Sequence, residues 1–283
     1  MVSPFLCGRF EIDIESTPRI MGIVNVTPDS FSDGGLHATT DTAIAHALKL
    51  IEDGADILDI GGESTRPGSN PVSAEDELAR ILPVIEGLKN ANVPLSVDTF
   101  KPEVMKLALD AGADMINDVY GLQKDGAIEV IAKYPKAGVC IMHMHGDPKT
   151  MQLSPPDYGG DVVEFMKNFL LQRAKEAEKG GIASNRICID PGCGFGKTLI
   201  QNYELLANLD SLKDLGYAIL LGISRKGMLG SVINVPPQER VIASVYGAMV
   251  GLDLGAHIIR VHDVLETRQA FKIRDMIIKN RRS

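Results

Sequence analysis

The pattern that decides the fold is Gly54-Ala55-Asp56-Ile57-Leu58-Asp59, which returns as Gly112-Ala113-Asp114-Met115-Ile116-Asn117 and again as Gly255-Ala256-His257-Ile258-Ile259-Arg260. Each copy joins a glycine that can end a helix to a short apolar run typical of a buried strand. The sixth residue of each copy is polar and falls at the end of its strand. The pattern therefore predicts one helix-strand unit that is used several times.

Short apolar runs alternate with amphipathic stretches along the rest of the chain, as in parallel βαβ units. We predict strands at residues 19–25, 55–60, 94–98, 114–118, 138–143, 186–190, 218–222 and 257–261. Between the strands, apolar residues recur three and four apart, as in Ile44, Leu48 and Ile51. A second helix should begin after Ser73 as its capping residue, and Pro83 should kink it.

The spacing of these units indicates a particular α/β architecture. Eight units in 283 residues give about 35 residues each, as in an ordinary TIM barrel. We therefore expect a single (β/α)₈ barrel domain over residues 1–283, with its active site at the C-terminal ends of the strands. A doubly wound sheet is the alternative. The three polar sixth residues favour the barrel, because its interior is normally apolar whereas its upper end carries the site. One such residue alone could simply cap a strand end.

Composition excludes several classes of partner. Asp and Glu number 37 against 29 Lys and Arg, a formal charge of −8 that attracts neither nucleic acid nor an anionic membrane. No apolar run approaches the roughly 20 residues needed to span a bilayer, and no secretion signal begins the sequence. The four cysteines show no CxxC spacing. We therefore expect a reduced, cytoplasmic protein with no nucleic-acid or membrane partner.

Two loops that follow predicted strands are rich in small and polar residues. The first is Asn25-Val26-Thr27-Pro28-Asp29-Ser30-Phe31-Ser32-Asp33-Gly34-Gly35, which is long for a βα connection. The second is Asp59-Ile60-Gly61-Gly62-Glu63-Ser64-Thr65-Arg66-Pro67-Gly68, in which the guanidinium suits a phosphate or carboxylate. Long loops of this kind are usually functional.

These loops resemble the two signature loops of the dihydropteroate synthase family. Further motifs follow in the family's order over essentially the whole chain. They are Asp98, Asn117, Met142-His143-Met144, Asp190-Pro191-Gly192, Gly194-Phe195-Gly196-Lys197, Ser224-Arg225-Lys226 and Arg260-Val261-His262-Asp263. Cys193 is a departure, since many relatives carry a larger apolar residue there. The resemblance implies an enzyme of folate biosynthesis that condenses 6-hydroxymethyl-7,8-dihydropterin pyrophosphate with 4-aminobenzoate, which gives 7,8-dihydropteroate and pyrophosphate.

The resemblance also implies a pterin pocket. A pterin displays adjacent N–H donors along one edge, and the Asp190 carboxylate is expected to accept two of them. Lys226 should reach the ring carbonyl and nitrogen, with its stem against the ring face. The residues expected to form the pocket are Asp98, Asn117, Met142, Asp190, Gly194, Phe195 and Lys226.

The pyrophosphate is expected at the opening of the last helix, where a helix N-terminus offers free N–H donors. Its predicted ligands are Asn25, Thr65, Arg66, Arg260 and His262. Asn25 is also the predicted ligand of Mg²⁺, a cofactor that keeps waters and bridges to substrate phosphates. No cluster of carboxylates suggests a second metal.

A second pocket is expected to bind 4-aminobenzoate. Its predicted residues are Phe31, Arg66, Pro67, Phe195, Ser224 and Lys226, with Ser224 holding the carboxylate. Substitution should be dissociative, so positioning and leaving-group stabilisation supply the acceleration and no strong base is needed. The residues predicted to carry the chemistry are Asn25, Arg66, Lys226, Arg260 and His262.

A non-catalytic pterin-binding protein is one alternative, but nothing in the sequence calls for it. Three other functions would each use part of the sequence. A metal-dependent hydrolase would use His143-Met144-His145, but amidohydrolase-like barrels place such a pair after the first strand, where this chain has Asn25. A P-loop at residues 192–198 is one residue short of the motif. A methyltransferase that passes a methyl group from methyltetrahydrofolate to a corrinoid protein would share the pterin pocket without needing the second one.

The segment 241–250 is apolar almost all round a predicted helix, which is more than one face of a barrel can bury. We therefore expect a homodimer through this segment, an arrangement that is common among the relatives.

Overall fold

The computed structural model describes residues 4–26 and 35–281. The strands are β1 (Phe5–Cys7), β2 (Phe10–Ile12), β3 (Arg19–Asn25), β4 (Ile57–Gly61), β5 (Leu95–Asp98), β6 (Met115–Asp118), β7 (Gly138–Met142), β8 (Ile187–Asp190), β9 (Ala218–Leu221) and β10 (Ile258–Val261). The helices are α1 (Gly35–Glu52), α2 (Ala74–Leu88), α3 (Pro102–Asp110), α4 (Ala127–Ala132), α5 (Val162–Lys179), α6 (Leu199–Ala207), α7 (Gly227–Ile233), α8 (Val241–Asp253) and α9 (Val264–Lys279).

Within the described residues, eight parallel strands close into a barrel in the order β10-β3-β4-β5-β6-β7-β8-β9. The predicted TIM barrel is therefore confirmed, and each predicted strand lies within two residues of an observed one. Ser73 caps α2 by accepting a hydrogen bond from the Asp76 amide, and Pro83 lies inside that helix.

The three copies of the repeated pattern adopt one local structure. Gly54, Gly112 and Gly255 have φ values of +104°, +110° and +104°, a left-handed conformation that glycine adopts without strain. In each copy, the alanine that follows donates to a carbonyl five residues earlier in the helix, as Ala55 does to Leu50 at 2.8 Å. This is the hydrogen bond of a Schellman ending. The pattern thus ends a helix and begins a barrel strand at each of its three sites.

Side chains alternate between the barrel interior and the surrounding layer of helices. On β8, Ile187 and Ile189 join the cluster that includes the helices, whereas Cys188 joins a second buried cluster with Met115 and Ile258. This period of two is the pleat of a strand. Polar residues at inward positions near the strand ends therefore face one another.

The hairpin of β1 and β2 was not predicted. Phe5, Cys7 and Ile12 belong to the inner cluster at the amino-terminal end of the strands, and Arg9 donates its backbone N–H to Asp114 at 3.2 Å. The strands of the hairpin have three residues each, too few for a clear alternation of apolar and polar side chains. The hairpin covers this end of the barrel, so the interior opens at the other end.

The helices and the cysteines were also compared with the expected absence of a membrane partner and of disulfides. In the part of the chain that is described, no helix has both the length and the apolar character required to cross a membrane. All four cysteines lie in the described ranges, and each is buried and free.

Candidate active site

The polar sixth residues of the repeated pattern meet inside the barrel. Arg260 Nε donates to Asp59 Oδ2 at 2.6 Å, and Asn117 Nδ2 donates to the same oxygen at 3.1 Å. Arg260 Nη2 also donates to Asp98 Oδ2 at 2.9 Å. Asp98, Asn117 and Arg260, all predicted site residues, thus form one hydrogen-bonded group with Asp59. The repeat had indicated Asp59 as a residue at the site end of the barrel, but no role in the site was assigned to it.

The two carboxylate oxygens of Asp190 have different surroundings: one accepts a backbone hydrogen bond, and the other faces the barrel. Its Oδ1 accepts the Gly192 amide hydrogen at 2.7 Å. Its Oδ2 would lie 3.9 Å from a Cβ added to Gly222, and the same Cβ would lie 3.7 Å from Arg260 Cβ. The second oxygen therefore points into the barrel beside Arg260. This arrangement leaves an acceptor facing the predicted pterin pocket.

Lys226 lies across the turn that follows Asp190. Its Nζ donates to the Cys193 carbonyl at 2.5 Å and lies 4.4 Å from the centre of the Phe195 ring. Gly194 has φ +87°, and a Cβ there would approach Lys226 Cδ to 3.0 Å. A side chain at position 194 would displace the lysine stem. Cys193, the departure from the family pattern, is buried in the outer core behind this turn.

Burial and neighbouring charges together shift the pKa values of the ionisable groups in the site. Burial raises the pKa of Asp98 to about 7, with the Asp59 charge adding to the rise and Arg260 opposing it. Burial also raises the pKa of Asp190, against the opposing charge of Lys226. Burial lowers the pKa of Lys226. Perturbed groups that lie close together at the ends of barrel strands are characteristic of functional sites.

An apolar wall borders these groups. Met142 packs in a buried cluster with Val119, Met144 and Met151, and the partly exposed rings of Phe100, Tyr120 and Phe195 pack against it. Flat rings and thioethers suit the faces of a heterocycle. The predicted pocket residues Met142, Gly194 and Phe195 are thus near one another.

Lys197 ends the Gly194-Phe195-Gly196-Lys197 motif, and no role was predicted for it. It is only 2% exposed. Its Nζ contacts four acceptors, namely the Gly192, Phe195 and His143 carbonyls at 2.8, 3.0 and 3.3 Å and His143 Nδ1 at 3.1 Å. Lysine in a P-loop reaches out to phosphate, whereas this lysine ties together the turn that carries Phe195. The geometry of this turn therefore argues against a P-loop, as the residue spacing does.

The two histidines of the hydrolase reading do not share a site. His143 is buried, and its ring makes edge contacts with Tyr158, Phe165 and Phe169 at centroid distances of 5.6, 5.8 and 4.7 Å. His145 is exposed. Among the described residues, no group of three or more His, Cys, Asp or Glu side chains could hold a metal ion.

The burial of His143 predicts a pH effect on stability. Burial lowers its pKa to about 3, from 6.5. Below pH 6.5 the unfolded chain therefore takes up a proton that the folded chain does not. The free energy of unfolding thus decreases as the pH is lowered. His143→Phe keeps the ring contacts and removes one acceptor of Lys197, which retains its three carbonyl acceptors. The variant should reduce the loss of stability between about pH 7.5 and about pH 5 by up to about 2 kcal/mol. Urea unfolding at the two pH values measures the difference. The exposed His145→Phe is the control, and an equal pH dependence in all three proteins would contradict the argument.

The second predicted loop is buried at its root and exposed at its tip. The Gly62 carbonyl accepts from Arg80 at 2.7 Å, and Lys101 forms ion pairs with both Glu63 and Glu77. The tip, which carries the predicted residues Thr65, Arg66 and Pro67, is half-buried at Thr65 and exposed beyond it. Gly68 donates to the Pro148 carbonyl at 2.8 Å.

The ends of β9 and β10 bring His262 and Ser224 together. The Ser224 hydroxyl lies 3.1 Å from His262 Nδ1 and accepts the His262 amide hydrogen at 3.2 Å. Burial and the charges of Arg260, Arg225 and Arg66 lower the pKa of His262 to about 3. A neutral ring that accepts at Nδ1 carries its proton on Nε2, where it can donate. In the tautomer in which Nδ1 accepts from Ser224, a contact between Ser224 and a carboxylate would require the pair to open or the ring to take the other tautomer.

Asn25, a predicted site residue, and Arg225, part of a quoted motif, lie at the edges of the site. Asn25 ends β3 and pairs in register with Gly61. Arg225 adopts φ +58° and donates through Nε to Asp263 at 3.0 Å, just before α9. Phe31 lies outside the described residues.

The fold and this site define a pterin-binding enzyme on a (β/α)₈ barrel, and a family model described as pterin binding enzyme matches residues 21–262. Dihydropteroate synthase of Escherichia coli strain K12 is 47% identical over 259 residues, which cover 91% of this chain and 91% of the relative. The chain belongs to the dihydropteroate synthase family.

Solved structures agree with this assignment. Dihydropteroate synthase of Xanthomonas albilineans, solved with 4-aminobenzoic acid, matches with a TM-score of 0.91 at 48% identity and covers 98% of both chains. Dihydropteroate synthase of Burkholderia cenocepacia, complexed with 7,8-dihydropteroate, matches with a TM-score of 0.88 at 47% identity, over 98% of this chain and 97% of that one. These relationships favour neither the corrinoid methyltransferase nor the hydrolase.

Proposed function

We infer that this chain condenses 6-hydroxymethyl-7,8-dihydropterin pyrophosphate with 4-aminobenzoate and releases pyrophosphate, as a dihydropteroate synthase. The observation that carries the inference is the arrangement at the barrel's open end. Asp190 has an acceptor turned into the barrel next to Arg260, while Lys226 covers the neighbouring Phe195 ring. Relatives of this chain are dihydropteroate synthases solved with 4-aminobenzoic acid and with 7,8-dihydropteroate.

The proposed reaction breaks the bond between the pterin methylene carbon and the pyrophosphate oxygen, whose electron pair leaves with pyrophosphate. The resulting cation is delocalised into the pterin ring. The amine nitrogen of 4-aminobenzoate then forms the new C–N bond and loses a proton to water. Asp190, Asn117 and Asp98 would hold the pterin edge, while Arg260 and His262 Nε2 would donate to the leaving group. Fixed donors stabilise developing charge without reorganisation.

Mg²⁺ fits the available donor set as a partner of the substrate. Asn25 offers a neutral amide oxygen at the end of β3, and no carboxylate cage surrounds a metal position among the described residues. Mg²⁺ keeps waters and bridges phosphates in such sites. When bound, it would neutralise charge on the departing pyrophosphate.

The function is tested by incubating the protein with the pterin pyrophosphate, radiolabelled 4-aminobenzoate and Mg²⁺, and by separating labelled dihydropteroate. Product should form and should decline when EDTA removes the metal. A parallel incubation with methyltetrahydrofolate and a corrinoid acceptor should give no methyl transfer. Methyl transfer without dihydropteroate would overturn the proposal in favour of the methyltransferase.

We also propose that the enzyme is a homodimer and that it resides in the cytoplasm. The buried free cysteines support a reducing compartment. The dimer is supported by exposed apolar side chains on two helices that pack together, α8 and α9. Ile242 is 85% exposed and Tyr246 71%, and α9 adds Ile273 and Ile277 at 64% and 67%. A surface of this kind marks a protein interface.

A charge in this surface should separate the subunits. Ile242→Lys is expected to weaken association by at least about 100-fold, because a lysine would be buried without a partner. Light scattering at micromolar concentration should give a dimer mass for the wild type and a monomer mass for the variant. Leu48→Lys on α1, where the leucine is 47% exposed, should remain dimeric. A monomeric wild type would rule the interface out.

A further inference from the structure

Asp59 lies at the centre of the site, yet the reaction outlined above gives it no task. Its side chain is fully shielded from solvent. Its Oδ2 accepts from Arg260 at 2.6 Å and from Asn117 at 3.1 Å, and both donors belong to residues proposed to contact substrate. Its Oδ1 has no hydrogen-bond partner among the described residues.

Stability alone accounts poorly for this carboxylate. A buried charge with an unpartnered oxygen is costly unless its surroundings compensate for it. Arg260 already has a second carboxylate, Asp98, at 2.9 Å. An asparagine at position 59 could still accept from Arg260 while removing one buried charge. The charge is therefore better explained by what it does to its neighbours.

The contacts of Asp59 fix two flexible side chains. Arg260 extends from β10 to β4 and β5, where Asp59 holds Nε and Asp98 holds Nη2. The guanidinium is thus clamped along one edge, and its remaining N–H groups are left for a ligand. Asn117 donates one amide hydrogen to Asp59, which decides the direction of its carbonyl oxygen. Preorganised groups of this kind hold a site in its productive geometry.

We propose that Asp59 is a positioning residue of the pterin site, which orients Arg260 and Asn117 and shares the charge of Arg260 with Asp98. The inference rests on the proposed function. The charged groups around Asp59 are Arg260 and Asp98, and Asp190 and Lys226 lie farther across the barrel. The Asp59 charge is also one cause of the raised pKa of Asp98, together with burial, Glu77 and Asp118, while Arg260 opposes them.

Asp59→Asn tests the proposal. The value of kcat/KM for the pterin pyrophosphate should fall roughly 30-fold, the scale of a lost charge-assisted hydrogen bond. The KM for 4-aminobenzoate should stay within a factor of about two, because among the described residues Asp59 bonds to Arg260 and Asn117 and not to Arg66 or Pro67. Removal of the charge should also lower the pKa of Asp98, so the acid limb of the pH profile of kcat/KM should move to lower pH.

Ser96→Ala is the matched control. Ser96 pairs with Asp59 in register across β4 and β5, is equally buried, and has an Oγ without a partner among the described residues. The alanine variant should keep wild-type kinetics and pH profile. Asp59→Ser, which is also uncharged, replaces the asparagine variant if the latter fails to fold.

The outcomes separate the two proposals. A wild type that forms no dihydropteroate overturns the proposed function itself. An active wild type with unchanged kcat/KM and pH profile in the position-59 variants overturns the inference. A lower melting temperature with no change in the kinetics of the folded variant would also overturn it, since Asp59 would then be structural. A reduced kcat/KM with a shifted acid limb supports it.

Discussion

Asp190→Asn is expected to weaken binding of the pterin pyrophosphate roughly 100-fold or more, because two donors would then face each other in a buried pocket. The Gly192 amide donates to Asp190 Oδ1 at 2.7 Å, which holds Oδ1 on the turn and leaves Oδ2 facing the barrel. An asparagine would keep its carbonyl oxygen on Gly192 and turn its NH₂ group into the barrel. The pterin edge displays N–H groups there, so the substitution replaces an attraction with a mismatch.

Calorimetry with the pterin pyrophosphate measures this effect directly. Asp161→Asn is a suitable control, since Asp161 also accepts backbone hydrogen bonds, from Val163 and Glu164, but caps α5 outside the barrel. That variant should bind pterin as the wild type does. Unchanged pterin affinity in Asp190→Asn would remove Asp190 from the pocket.

Much of this site was predictable because a local rule fixes its scaffold. The helix-ending glycines at positions 54, 112 and 255 determine where three barrel strands begin. The sixth residue of each pattern then has to fall near the end of a strand, on the inward side. Asp59, Asn117 and Arg260 met as a consequence. Local backbone chemistry therefore carried information about a contact that spans 201 positions between Asp59 and Arg260.

The roles of individual side chains were harder to predict, since neighbours compete for each hydrogen-bonding group. Lys197 illustrates the difficulty. The glycines at 192, 194 and 196 have φ values of +68°, +87° and +69°, which curl the chain around the lysine. Its Nζ is consumed by the Gly192 and Phe195 carbonyls of its own turn. Sequence spacing shows a lysine after a glycine-rich stretch, but not whether it faces a ligand or its own loop.

Ser224 shows the same competition in a different form. The barrel order made β9 and β10 neighbours, so the residues after them had to approach each other. The Ser224 hydroxyl contacts His262 Nδ1, a partner that competes with the substrate carboxylate predicted for this serine. The hairpin of β1 and β2 escaped prediction for another reason: its stability comes from covering the barrel's lower end, a surface that exists only after the barrel has closed.

The order of substrate binding should also follow from the loops. We expect 4-aminobenzoate to bind measurably only when pyrophosphate or the pterin pyrophosphate is present. Arg66 and Pro67 belong to its predicted pocket and lie at the exposed tip of the second loop. The root of that loop is fixed by Arg80 and by the ion pair of Glu63 with Lys101. The tip has hydrogen bonds but few apolar contacts, so opening it should cost less free energy than opening the buried root.

Pyrophosphate can draw the tip toward the barrel because positive groups stand on both sides of the gap. The charge of Arg66 already acts on His262 and contributes to lowering its pKa. Arg260 lies on β10, and His262 follows directly after that strand. A polyanion between Arg66 and these two residues would offset the entropy of ordering the tip. The second pocket would then form as a consequence of the first substrate.

The size of the effect depends on how often the tip closes unaided. If about one molecule in 100 is closed, the apparent affinity for 4-aminobenzoate is about 100-fold weaker than in the closed form. Calorimetric titration of 4-aminobenzoate with and without saturating pyrophosphate and Mg²⁺ measures this ratio. In Arg66→Met, pyrophosphate should no longer promote binding, because the link from the polyanion to the tip is lost. Equal affinities in the two wild-type titrations would mean that the pocket is preformed and that closure of the loop does not control the order of binding.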